Sequence, residues 1–158
     1  MDSNNLTRAE IAENNFVEGY NCAQSVVLAF SDIIDVDKEI LAKMSSSFGG
    51  GMGRLREVCG AVSGMFMVLG YLEGYSNPKE TEGKKELYAK IQALAAKFKE
   101  ENGSIICREL MNGVPHTDGT VPEARTEEYY KKRPCSQLVA CAAQILEEYL
   151  NDSGIIKS

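Results

Sequence analysis

Residues 58–72 contain no charged side chain, and this run constrains the fold more than any other part of the chain. A membrane-spanning helix needs about 20 apolar residues. The run is shorter than that and is interrupted by Gly60, Gly64 and Gly70, so it reads instead as a buried helix over about residues 57–72. A chain of 158 residues can bury such a helix in a core of its own without disulfide staples, so cysteine pairing here is expected to serve function rather than structure.

Helical punctuation recurs on both sides of this run, and no segment shows the period-two alternation of a half-buried strand. The predicted class is therefore all-α, a compact multi-helix bundle. Thr7-Arg8-Ala9-Glu10 is a capping box opening a helix that runs to Glu18, ahead of Gly19. Asn21 caps a second helix with Val26, Ala29, Phe30 and Ile33 on one face, and a third begins near Asp37. Gly49-Gly50-Gly51-Met52-Gly53 interrupts the pattern and predicts a turn or a close approach of backbone. Residues 79–101 place Leu87, Ile91, Leu94 and Phe98 on one stripe of a surface helix.

Residues 107–111 read as a single helical turn. The polar stretch 112–126, broken by Pro115, Gly119 and Pro122, is the longest loop and is expected to be mobile or to cover a ligand. A last helix follows Pro134 with Leu138, Ala142, Ile145 and Tyr149 inward, and a tail from Asn151 is expected to fray. The whole chain, 1–158, is expected to form one domain with a helical body over about 7–150.

The formal charge of −6 argues against a nucleic-acid partner, because the basic cluster Lys131, Lys132 and Arg133 is too small to neutralise a phosphate backbone. Residues 1–15 are polar and acidic, without the apolar run of a signal peptide. The expectation is a cytoplasmic protein with no membrane insertion. There, five cysteines are kept as thiols, metal ligands or redox-cycling pairs.

Their placement narrows the choice. Cys22 and Cys135 each stand at a predicted helix start, where unpaired amides and the macrodipole favour the thiolate. They also open an internal echo, Cys-(Ala/Ser)-Gln-x-Val-x-x-Ala, at residues 22–29 and 135–142. Arg54 and Arg56 precede Cys59, Arg108 follows Cys107, and the basic cluster precedes Cys135. Cys141 falls instead on the apolar stripe of the last helix and is assigned to the core. No Cys-x-x-Cys occurs, so a thioredoxin-type site, a zinc finger and covalent haem attachment are all unsupported. Gly60 and Gly64 lie four apart on one helix face, where either a neighbouring helix or a bound group can approach the backbone. His116, the lone histidine, lies in a polar loop with no paired acid, and a glycine-rich segment without Gly-Lys-Ser/Thr is no phosphate loop.

Taken together, Gly19-Tyr20-Asn21-Cys22-Ala23-Gln24, the glycine-rich 48–54 leading into Cys59-Gly60-Ala61-Val62-Ser63-Gly64, Cys107-Arg108-Glu109-Leu110, and Cys135 with Leu138-Val139 resemble the C_GCAxxG_C_C family of redox-active proteins. The resemblance runs from about residue 15 to 150. It implies four signature cysteines, Cys22, Cys59, Cys107 and Cys135, with Cys141 outside the set. Val58-Cys59-Gly60-Ala61 departs from the Gly-Cys-Ala order in the family's name.

The expected function is a cysteine-based redox protein, moving electrons by thiol–disulfide exchange or through an iron–sulfur centre ligated by Cys22, Cys59, Cys107 and Cys135, with Gly60 and Gly64 beside it. The alternative is a zinc-binding or helical scaffold protein in which the same cysteines are structural. The redox partner and the oligomeric state are not legible. Two close cysteine pairs far from each other would favour disulfides, a single knot of four sulfurs would favour a metal centre, and four scattered sulfurs would end the redox reading.

Overall fold

The computed structural model describes residues 6–156. Its helices are α1 (Arg8–Glu18), α2 (Cys22–Leu28), α3 (Lys38–Ser46), α4 (Gly49–Met52), α5 (Gly60–Glu73), α6 (Thr81–Asn102), α7 (Cys107–Leu110), α8 (Glu127–Lys132) and α9 (Cys135–Asp152). Among the described residues there is no strand, only an isolated antiparallel bridge between Val58 and Ile106. The fold is all-α, and none of the described helices is long and apolar enough to cross a membrane.

Local chemistry sets the helix starts. Thr7 and Glu10 close a capping box on α1, and Asn21 and Gln24 close a second on α2, so amides at the start of both helices are satisfied by neighbouring side chains. Asp37 accepts from the Glu39 amide at the start of α3. The uncharged helix α5 lies at the centre, with Ala61, Val62, Met65 and Leu69 fully buried. Helix α2 packs along it, α1 packs on α9, and α6 closes the outside with Leu94 and Phe98.

The α2–α5 seam explains the glycines of α5. A Cβ on Gly60 would stand 3.0 Å from the Cys22 Cβ and the Phe48 carbonyl, and one on Gly64 would stand 2.8 Å from the Ala23 carbonyl oxygen. Backbone cannot give way as a flexible side chain can. Gly64→Ala is therefore expected to lower the unfolding free energy by about 1–3 kcal/mol despite its better helix propensity, read from urea denaturation. Gly70→Ala on the same helix meets nothing within 4 Å and is the matched control, expected to be neutral or stabilising. Equal losses at both positions would remove the packing explanation.

Three expectations are corrected. Helix α2 ends at Leu28 and the chain continues in a 3-10 turn, Ser31–Ile33, which leaves Ile33 only half-buried. The helical body does not stop at the expected boundary before Asn151: α9 runs to Asp152, the Ile155 amide donates to the Leu150 carbonyl, and Ile156 packs against the core. Residues 157 and 158 of that expected tail lie outside the described residues. Cys141 is half-buried at the core's edge, where Asn102 Nδ2 reaches its sulfur at 3.4 Å, because α6 covers that face of α9 only partly.

Candidate functional site

Every signature cysteine stands at the start of a helix. Cys22, Cys107 and Cys135 are the first residues of α2, α7 and α9, and Cys59 is the N-cap of α5. All four line one cavity of about 350 Å³. Two backbone devices bring them there. The bridge at Val58 ties the Cys59 amide to the Ile105 carbonyl at 2.8 Å and the Cys107 amide to the Glu57 carbonyl at 2.6 Å, setting these two cysteines on adjacent segments. Gly60 supplies the other, since its missing side chain lets Cys22 close on the start of α5.

The glycine-rich segment forms the cavity's rim. Five consecutive residues, Gly50, Gly51, Met52, Gly53 and Arg54, have left-handed φ of 66°, 71°, 71°, 59° and 67°, and Arg56 follows at 62°. Left-handed backbone costs a non-glycine residue about 1–2 kcal/mol, so Met52, Arg54 and Arg56 hold strain that the surrounding contacts must offset. Those contacts include the Arg56 amide on the Gly50 carbonyl and the Glu57 amide on the Gly51 carbonyl, at 3.2 and 2.9 Å. The result places Arg54 and Arg56 together on the cavity lining.

Loop 112–126 covers this lining, with Thr120, Pro122 and Glu123 contributing to it. Arg54 donates to the carbonyls of Thr117, Gly119 and Val121, and Arg56 Nη2 donates to Thr117 at 2.8 Å. Glu123 accepts from Arg54 at 3.1 Å, Arg56 at 3.4 Å, Arg133 and the Thr117 amide. Burial works against ionisation of Glu123, yet the Thr117 amide and Arg133 hold its carboxyl at about 2. Arg125 lies over the Phe16 ring at 4.0 Å and the Tyr129 ring at 5.4 Å, closing the side toward α1.

The four thiols are not equivalent. Hydrogen bonding with Cys135, then burial, pushes the Cys22 thiol well above its ordinary value. The same bond, with help from Arg133 and against burial, brings Cys135 down to about 7. Burial pushes Cys59 up to about 12, and it raises Cys107 although Arg56 Nη1 lies 3.7 Å from that sulfur. The helix starts of Cys22 and Cys135 were expected to favour thiolate; this holds in direction for Cys135 alone, since the interaction with Cys135 and burial raise Cys22, and burial raises Cys59 and Cys107.

A pH dependence follows from Cys135. Its thiolate is half formed near pH 7, so iodoacetamide modification of Cys135, followed by peptide mass, is expected to rise with a midpoint near 7. Because the folded value lies below the ordinary 9, this ionisation contributes stability above pH 9 that is lost as pH falls through about 7. Arg133→Gln should move the midpoint upward, and an unchanged midpoint would remove Arg133 from the site.

Sequence reasoning placed some neighbours wrongly. Arg56, close to Cys59 in sequence, reaches Cys107, while Arg108 donates to the Leu55 carbonyl and Lys131 and Lys132 are exposed. His116 lies outside the lining, with Nδ1 2.7 Å from the Val114 carbonyl. Gly60 lines the cavity, whereas Gly64 faces Ala23 and Val26. The reading missed Glu123, Arg125 and Tyr129, whose only sequence signal was their position in or just after the long loop. The echo between residues 22–29 and 135–142 holds for the helix-start cysteines and for the buried Val26 and Val139, Ala29 and Ala142, but not for the glutamines: Gln24 caps α2, whereas Gln137 is exposed and α9 has no side-chain cap.

All five cysteines are free thiols. The four lining sulfurs are the donor type of an iron–sulfur or zinc centre, but among the described residues no group of three or more Cys, His, Asp or Glu is placed to hold one metal ion. The arrangement as it stands does not fit such a group.

An all-helical protein whose four helix-start cysteines share one arginine-rimmed cavity is the class defined by this fold and site. The profile of the family described as "Putative redox-active protein (C_GCAxxG_C_C)" matches residues 20–149, and the chain belongs to that family. It is also similar to an uncharacterized protein of Archaeoglobus fulgidus, 28% identical over 144 residues that cover 85% of this chain and 87% of that one. No solved structure matches.

Proposed function

We propose that the protein is a dithiol redox protein in which Cys135 is the nucleophile and Cys22 the resolving thiol. The observation that carries this is the shared cavity: Cys22 and Cys135, the first residues of α2 and α9, line it together with Cys59 and Cys107, and their mutual interaction shifts the two thiols in opposite directions. Thiolate is the attacking species in exchange, and an attacking thiol works best when its pKa lies near the ambient pH, as that of Cys135 does. Cys22, whose thiol is pushed well above its ordinary value, stays protonated and lines the same cavity, where it can resolve the product. Cys59 and Cys107, on adjacent segments, are a second pair to which the oxidising equivalents can pass.

The test uses reduced protein prepared without oxygen. Mild oxidation followed by alkylation and peptide mapping is expected to remove two thiols first, as a Cys22–Cys135 disulfide, and a reductant should restore both. A brown preparation containing iron would instead establish the iron–sulfur reading. Colourless protein with bound zinc and no reversible loss of thiols would leave the cysteines structural.

A further inference from the structure

The charges around the cavity do not balance. Arg54, Arg56, Arg125 and Arg133 all line it, and among the described lining residues Glu123 is the sole carboxylate. Asp118 lies 3.8 Å from Arg56 Nε, but its side chain is 74% exposed and the contact is screened. Arg56 and Arg133 are 5% and 7% exposed, and Arg56 Nε is buried without a hydrogen-bond partner. Buried guanidinium groups call for matching anions. One carboxylate and a partly ionised sulfur are too few for four cations.

We propose that the cavity binds the anionic group of its redox substrate, and that Glu123 occupies this position until the substrate's own carboxylate or oxyanion displaces it. The inference rests on the dithiol reading and adds a substrate class: small disulfides that carry an anionic group near the S–S bond. Arg54 and Arg56 hold both Glu123 and the carbonyls of loop 112–126, so displacing the carboxylate loosens the loop over the cysteines. The Cys135 thiolate then attacks one sulfur of R–S–S–R, forming Cys135–S–S–R and releasing RS⁻. The Cys22 thiol gives its proton to the medium or to the departing RS⁻ and attacks Cys135 Sγ, releasing the second RS⁻. One substrate disulfide is reduced by two electrons and one protein disulfide forms.

Three disulfides of similar size separate the possibilities: anionic 3,3′-dithiodipropionate, neutral bis(2-hydroxyethyl) disulfide and cationic cystamine. Single-turnover oxidation of the reduced protein, each rate divided by that for free cysteine, is expected to favour the dianion over the neutral probe by about tenfold, the worth of one charge-assisted hydrogen bond. Binding is measured separately with the unreactive thioether 3,3′-thiodipropionate against neutral thiodiethanol, by thermal shift. Only the dianion is expected to stabilise the protein, and Glu123→Gln, which removes the competing negative charge from the arginines, should tighten its binding.

Equal corrected rates for the three disulfides would overturn the anion site and leave the dithiol function standing. No reaction with any of them, together with saturable thiodipropionate binding, would keep the anion site and end the dithiol reading. Absence of thiodipropionate binding in both wild type and Glu123→Gln overturns the inference whatever the rates.

Discussion

Cys135→Ser is expected to abolish disulfide exchange, lowering the single-turnover rate by about a thousandfold or more, because the hydroxyl that replaces the thiolate is not ionised at neutral pH. Cys22→Ser should behave differently. Cys135 can still attack, but no thiol remains to resolve the product, so a mixed disulfide should accumulate and be visible as added mass on the Cys135 peptide. Cys141→Ser, which alters a half-buried sulfur outside the cavity, should leave the rate unchanged and cost about 1 kcal/mol of stability at most. A harmless Cys135→Ser together with an inactive Cys141→Ser would reverse the assignment of both.

The second large effect is expected at Gly51. Its φ is +71°, and a Cβ there would lie 2.6 Å from the Cys107 Cβ and 2.7 Å from both the Arg56 Cα and the Glu57 amide nitrogen. The left-handed penalty of about 1–2 kcal/mol adds to an overpacking cost of about 1–3 kcal/mol, and two of the three nearest atoms are backbone that cannot swing aside. Gly51→Ala should therefore lose about 2–5 kcal/mol in urea denaturation, and the surviving folded protein should show altered Cys107 reactivity. Gly53→Ala shares the left-handed backbone, with φ +59°, but meets only the Ser47 carbonyl at an ordinary 3.6 Å. It should cost the conformational penalty alone. Matching losses at the two glycines would show that strain, and not the approach of Cys107, is what Gly51 relieves.

Much of the secondary structure was legible because the residues that start helices act on their own backbone. Thr7 with Glu10, Asn21 with Gln24, and Asp37 each satisfy amides within three positions, so the sequence states these boundaries directly. The buried course of α5 was legible for a related reason, since a run without charge has no stable place except a core. The placement of Cys22 and Cys135 at helix starts and of Cys107 in a short helical turn was readable in the same local way, whereas Cys59, expected just inside its helix, is the N-cap.

The sequence by itself thus determined an all-helical chain and the centre of its core, and it set Cys22, Cys59, Cys107 and Cys135 apart from Cys141. Only the tertiary structure decided that they open on one cavity, that Arg56 serves Cys107 and not Cys59, and that Glu123 closes the site with Arg54, Arg56 and Arg133. It also decided which thiol ionises. All four stand at helix starts, but burial and partners differ, and Cys135 alone among the four is brought below its ordinary value, by its interaction with Cys22 and by Arg133 against its burial. The physical reason is range: capping acts over a few residues, whereas desolvation and charge pairing depend on atoms that are tens of residues apart in sequence and a few ångströms apart in space.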